Sequence, residues 1–320
     1  MAKKRVKLRL KKEAKIGLIV IILLIILIIF GINKYKEYQY HQTNEYKLLE
    51  KNYSKDDVSL ILDKLDQDYI NKLIDSDYND NIVKFINEKY FIKNNLDRYL
   101  AYFNNNKNVS YTKIVSLVNT NRDSDYYEKI KETDVSKDYL MLVNKYNYLN
   151  EDFIPNDMVN VSLSYAFSGN KIRHDLLDKF VDMANAAKAN DILMVINSSY
   201  RHFDEQKKLW ESRRLSQGTD KADQYAARAG FSEHQSGLAI DIAQYNSSEE
   251  DFELTPAYNW LTDNSYKYGF ILRYPKDKED ITGFSYESWH YRYVGVEVAT
   301  KIHNENISFD EYYAYYIENN

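Results

Sequence analysis

Apolar and polar positions follow different rhythms in successive parts of this chain. Ile16 to Ile32 is an uncharged, almost wholly apolar run of 17 residues. As a helix it rises about 25 Å, at the short end for a hydrocarbon core of about 30 Å. From Tyr38 to about Thr133 polar residues dominate, and apolar ones return at helical spacing. Val58, Ile61, Leu62, Leu65, Tyr69 and Leu73 form one such series, with Ser54 and Asp57 placed to cap its start. Ile82, Phe85 and Ile86, then Leu96, Leu100 and Phe103, predict two or three more short helices.

After Lys137 the patterns mix. Asp175 to Ala187 reads as an amphipathic helix through Leu176, Leu177, Phe180, Val181, Met183 and Ala184. Ile192 to Ile196 reads as a buried strand that runs into a loop at Asn197 to Arg201, and Phe203 to Leu215 as another helix. Strands are predicted again at Ala239 to Ala243, Phe270 to Tyr274 and His290 to Val294. The mixture predicts an α+β fold: a mostly antiparallel sheet with flanking helices, preceded by a transmembrane helix and a small helical region.

Charge divides the chain further. The first 15 residues hold eight Lys or Arg and one Glu, a local charge of +7; the whole chain sums to −5, so the remainder carries −12. A secretory signal has a shorter apolar core and a small-residue cleavage site, and Phe30-Gly31-Ile32-Asn33-Lys34 offers none. The run therefore reads as an uncleaved anchor. The excess of cations before it places the N-terminus in the cytoplasm and everything after Lys34 outside, in a single-pass cell-membrane protein. The organisation expected is a basic cytoplasmic tail at 1–15, an anchor at 16–33, a helical spacer or accessory region at 38–133, a catalytic domain at 134–305 and a C-terminal tail at 306–320. The helical region is either a spacer or wall-binding module, or an appendage packed on the catalytic domain without a ligand of its own.

There is no cysteine, so disulfides, thiolate metal sites and a cysteine nucleophile are excluded, and an external protein must rely on its core and a metal. Topology and anionic lipid account for the basic N-terminus. A charge of −12 downstream disfavours a polyanionic partner such as DNA. The 31 tyrosines are assigned to packing, since tyrosine serves both core and surface.

The candidate chemistry lies in SEHQSGLAID, Ser232 to Asp241, and in ESWHYR, which begins at Glu287. His234, Asp241 and His290 supply two imidazoles and a carboxylate. That suffices for a catalytic zinc, which takes three protein ligands and leaves a fourth position to water. Glu287 is then the free carboxylate beside that water. Residues an odd number apart in a strand face opposite ways, so His234 and Asp241 share a metal only if the chain bends between them. Gly237 is the natural hinge, and Leu238 to Ile240 reads as a short buried strand that delivers Asp241.

These residues resemble the VanY-type D-alanyl-D-alanine carboxypeptidase family, zinc peptidases of bacterial cell-wall metabolism that share a fold with lysostaphin and the hedgehog signalling domain. Members carry Ser-x-His-x-x-Gly-x-Ala-x-Asp and a later Glu-x-Trp-His, both present here without a gap. They also carry Ser-Gly-Tyr-Arg followed by Gln and Leu, matched here by SSYRHFDEQKKLW from Ser198, with Ser199 where Gly is usual. LVNKYNYL, Leu142 to Leu149, with Pro155 after it extends the resemblance over roughly residues 134 to 305. The resemblance implies that zinc is held by His234, Asp241 and His290 and that Glu287 is the general base. Arg201 becomes the cation for an oxyanion or a terminal carboxylate. Ser199, Gln206, Ser232 and Trp289 become substrate contacts, Trp289 also packing beside the metal. The substrate implied is the peptidoglycan stem peptide, cleaved at its C-terminal D-Ala by a D,D- or L,D-carboxypeptidase. Two other readings stand beside it: a stem-peptide endopeptidase, and a non-catalytic peptidoglycan-binding protein that keeps the fold. Glu287 separates the last from the enzymes, because a binding domain has no need of a carboxylate beside the water.

Overall fold

The computed structural model of the 320-residue chain describes residues 11–245, 247 and 251–318. Residues 1–10, most of the predicted basic tail, lie outside the described residues. Chain contacts divide it into two compact units, Met1–Glu88 and Lys89–Asn320.

The first unit is helical. Helix α1 (Lys12–His41) contains the apolar run, buries no side chain, and is long and apolar enough to cross a membrane. Four short helices follow: α2 (Asn44–Glu50), α3 (Lys55–Lys64), α4 (Gln67–Asp75) and α5 (Asp80–Ile86). The predicted cap at Ser54 is present as a reciprocal pair, the Asp57 amide donating to the Ser54 hydroxyl and the Ser54 amide to the Asp57 carboxylate. The single apolar series from Val58 to Leu73 is nevertheless two helices. The Asp66 carboxylate accepts from the Tyr69 amide and starts α4, so an N-cap inside the series interrupts a periodicity that looked continuous.

The second unit opens with α6 (Leu96–Asn105) and α7 (Tyr111–Asn119), then β1 (Lys131–Glu132) parallel to β2 (Asn147–Tyr148), and β3 (Met158–Asn160) antiparallel to β4 (Lys171–Arg173). The order continues as α8 (His174–Lys188), β5 (Met194–Ser198), α9 (Phe203–Gln217), α10 (Thr219–Tyr225), β6 (Ala239–Gln244), α11 (Pro256–Asn264), β7 (Phe270–Leu272), α12 (Glu279–Thr282), β8 (His290–Tyr293), α13 (Val296–Glu305) and α14 (Phe309–Tyr316). The region expected as one helical block at 38–133 is thus shared between the units. Residues 89–133 pack with the domain that follows: α7 buries Ile114, Val115, Leu117 and Val118, and the Ser116 hydroxyl donates to Glu311 at 2.6 Å. The expected C-terminal tail is packed too. Ile307, Phe309 and Tyr313 are buried with Leu142, Ile271 and Val294.

Strands β5, β6, β8 and β7 lie side by side in that order, every neighbour antiparallel, which is the α+β arrangement expected. Directly opposed residues share a face of a sheet. Ile240 lies opposite Tyr291, Ile196 opposite Ile242 and Phe270 opposite Tyr293. These pack against Leu176, Phe180 and Met183 of α8 and Leu261 of α11 as the main core. The other face carries Asp241 opposite His290, and Ala239 opposite Arg292. One face is therefore apolar support and the other holds the chemistry.

The bend expected between His234 and Asp241 is present. His234 sits in a 3-10 turn, Glu233–Ser236, that Gly237 ends in the left-handed region at φ 68°. A side chain at Gly237 would also come within 2.8 Å of Met158 Sδ. Gly237→Ala is expected to lower stability by about 1–3 kcal/mol, from the backbone cost together with the crowding. Urea unfolding of the variant against wild type measures the loss.

Candidate active site

Three side chains converge where β6 and β8 run together. One ligand atom from each of His234, Asp241 and His290 lies within 4.8 Å of the other two. The Asp241 carboxylate is 3.1 Å from His290 Nδ1 and 3.5 Å from His234 Nε2. Each imidazole turns its other nitrogen away. His234 Nδ1 is 2.6 Å from the carbonyl of Ser199, so it donates there and leaves Nε2 as the free lone pair. His290 Nε2 is buried without a hydrogen-bond partner and faces Glu233 Oε2 at 3.7 Å. Two aimed imidazole lone pairs and a carboxylate are a donor set for zinc.

Glu287 reaches the same space. It precedes His290 by three residues, its amide donates to the Tyr274 carbonyl at 3.1 Å, and its carboxylate lies 3.5 Å from His290 Nδ1. Burial pushes the Glu287 carboxyl up to about 7, against the opposing pull of His290. Asp241 is the reverse: burial would raise it, but His234 and His290 hold it well below the usual carboxylate range. Burial also disfavours a charged His290, yet Asp241 and Glu233 outweigh it and raise the imidazole to about 9.

Arg201, Gln206, Ser232, Glu287 and Trp289 line a cavity with the three ligands. Arg201 is fixed from behind: Nη1 donates to Gln206 at 2.8 Å and Nη2 to the Ser198 hydroxyl at 2.9 Å. Gln206 spends its amide nitrogen on the Ala227 carbonyl at 2.7 Å, so both ends of this side chain are engaged in holding Arg201 in place. Ser232 is buried and lines the cavity. Trp289 is 40 % exposed at the cavity wall rather than packed deep beside the ligands. Ser199 does not line the cavity. Its hydroxyl donates to Asn170 at 2.7 Å and accepts from the Lys171 amide at 3.1 Å, and what it offers the site is its carbonyl on His234. The side chain expected as a substrate contact is thus turned toward Asn170 and Lys171, off the cavity lining.

Two participants were not singled out from the sequence. Ser198, one residue before the expected contact, anchors Arg201. Glu233, in the motif beside His234, is fully buried and accepts from Arg273 Nε at 2.7 Å and Arg292 Nη1 at 2.9 Å. The available signal was the pair of arginines, Arg273 and Arg292, inside two predicted strands, since buried cations require a buried anion.

The family model for D-alanyl-D-alanine carboxypeptidases of the VanY type matches residues 169–296. The chain is 37% identical over 207 residues to a putative carboxypeptidase, YodJ, of Bacillus subtilis (strain 168), covering 60% of this chain and 75% of that protein. The chain belongs to the VanY-type D-alanyl-D-alanine carboxypeptidase family. It is also 35% identical over 209 residues to a D-alanyl-D-alanine carboxypeptidase of Enterococcus faecium, covering 62% of this chain and 65% of that one. Among solved structures, the LdcB LD-carboxypeptidase, whose structure is described as revealing the basis of peptidoglycan recognition, superposes with a TM-score of 0.55. That match has 36% identity and covers 59% of this chain and 91% of that one. This VanY-type chain is a metallopeptidase of the carboxypeptidase type, and the His-Asp-His set fits the zinc such enzymes use.

Because His290 is raised to about 9 in the metal-free protein, it holds a proton at pH 7 that zinc must displace. Zinc affinity is therefore expected to rise with pH from 6 to about 9, with proton release on binding. Competition against a chelator at three pH values in that window measures it; a pH-independent affinity would mean that His290 is not held protonated in the metal-free protein.

Proposed function

We propose that this protein is a membrane-anchored carboxypeptidase that removes the C-terminal D-Ala of peptidoglycan stem peptides, with Glu287 as general base. The observation that carries the reading is Glu287 itself. It is a half-buried carboxylate raised to about 7, set 3.5 Å from a ligand imidazole and opening on the same cavity as Arg201. A pKa near the working pH is what a proton carrier needs.

Zinc held by His234, Asp241 and His290 supplies polarisation of the scissile carbonyl and acidification of a water. The Glu287 carboxylate takes the proton of the attacking water and hands one to the departing amine, so that one amide bond breaks while water is consumed. Arg201, half-buried and pinned by Gln206 and Ser198, keeps donors free beyond the two it spends on them. It grips either the terminal carboxylate or the oxygen that gains charge. Ser232 adds a polar wall group. Cleavage of the D-Ala–D-Ala bond of a pentapeptide and of the last bond of a tetrapeptide use the same machinery and differ in the residue presented before the bond. The apolar α1 and the cations preceding it support anchoring with the catalytic unit on the cell-wall side.

The test is mass spectrometry of synthetic tetrapeptide and pentapeptide stems incubated with the full chain in detergent micelles, with zinc and with a chelator. Zinc-dependent loss of one D-Ala is expected, and the stem that loses it names the specificity; no cleavage by the zinc-loaded chain refutes the reading. Glu287→Ala is expected to retain zinc and lose about 10²–10⁴-fold in kcat, and retention of turnover would remove Glu287 from the mechanism. The base works only when ionised and is protonated below its pKa. The rate is therefore expected to fall as pH drops, with an acid limb no higher than about 7, since the bound dication favours the ionised carboxylate.

A further inference from the structure

We infer that Glu233 is a positioning residue for the metal centre, and that the C-terminal helix α14 belongs to that centre through a buried charge relay that ends on His290. The inference rests on His290 being the metal ligand of the function proposed above.

The relay can be followed atom by atom. His290 Nε2 and Glu233 Oε2 are both buried and neither has a hydrogen-bond partner. They face each other at 3.7 Å, and a closure of about half an ångström brings them into hydrogen-bond range. The other oxygen of Glu233 is taken twice, by Arg273 at 2.7 Å and by Arg292 at 2.9 Å. Arg273 spends its Nη1 on Asp310 of α14 at 2.6 Å. Asp310 receives the Asn144 side-chain amide at 2.8 Å on its other oxygen, which brings in the LVNK segment that the catalytic site leaves unused. Arg292 closes the loop by donating from Nη2 to the carbonyls of Tyr139 and Met141, both at 2.9 Å. Every charged member is at most 3 % exposed.

The arrangement is directional. A carboxylate with one oxygen fixed by two guanidinium groups cannot rotate away, so its second oxygen stays aimed at His290. An imidazole that binds metal through one nitrogen is oriented by what its other nitrogen donates to. Glu233 thus holds His290 with Nδ1 toward Asp241 and Glu287, the two carboxylates it lies 3.1 and 3.5 Å from. Asp310 and Asn144 lie outside residues 169–296, so part of what orients the centre comes from beyond the matched segment.

The experiment compares wild type, Glu233→Gln and Asp310→Asn as full chains in detergent micelles. Three readings are taken: zinc affinity by chelator competition, the visible spectrum of the cobalt(II)-loaded protein, and thermal melting. Glu233→Gln is expected to weaken zinc about 10–100-fold and to change the cobalt spectrum. Asp310→Asn, linked to Glu233 only through Arg273 and touching none of the metal ligands, should move both in the same direction by less. If a folded Glu233→Gln protein keeps wild-type zinc affinity and cobalt spectrum, the proposal is overturned. Should that variant fail to fold, Asp310→Asn decides. A lowered melting temperature with zinc affinity and spectrum unmoved would mean that the relay only stabilises the fold, and the proposal falls. Metal binding is read without substrate, so a chain that binds zinc as expected and cleaves no stem peptide would end the functional reading while leaving this one standing.

Discussion

The pairing of Asp241 opposite His290 across β6 and β8 is the constraint on which the rest of the site depends. Opposed residues in an antiparallel pair share a face, and a slip of one residue would send one of them into the apolar core. Ile240 opposite Tyr291, buried in that core, makes such a slip costly. The hydrophobic face therefore sets the register, and the register brings carboxylate and imidazole together. His234 joins them only because Gly237 turns the chain just before β6.

Around this pair the protein buries an unusual amount of charge. Glu233, Arg273, Arg292 and Asp310 are all nearly inaccessible to water, and desolvating each ion costs several kcal/mol. What offsets the cost is dense pairing: two arginines on one Glu233 oxygen, one arginine shared with Asp310, and backbone carbonyls on the remaining donors of Arg292. A pair that is fully bonded is tolerated in a core, whereas removal of one member leaves the others stranded. Such a cluster therefore resists rearrangement, a useful property beneath a metal ligand.

The cavity above shows the opposite economy. Arg201 keeps free donors because Gln206 and Ser198 hold it from behind, and Glu287 sits where burial raises its proton affinity while His290 restrains the rise. Support comes from rigid elements, α9 for Gln206 and the end of β5 for Ser198, and the reactive groups project from them into shared space. Ser199 illustrates the division, its backbone orienting His234 and its hydroxyl tied to Asn170.

Much of this was legible along the chain. Periodicity located α8, α9 and the four central strands, and the motifs singled out His234, Asp241, His290 and Glu287, which the structure brings to one cavity, because local pattern and residue chemistry suffice to propose both. The cap at Asp66 was passed over because an apolar series does not show where one helix stops and another begins. Spacer or packed appendage stayed open for the helical region, and 306–320 read as a tail, because nothing in sequence order reports what Ser116, Glu311 or Asp310 touches. The orientation of His290 by Glu233 was hidden for the same reason. Sequence alone determined which groups are available and on which kind of element each rides. Tertiary structure decided which nitrogen faces the metal and which carboxylate faces away, since both depend on contacts between residues far apart in the chain, such as Arg273 with Asp310 and Asn144 with α14.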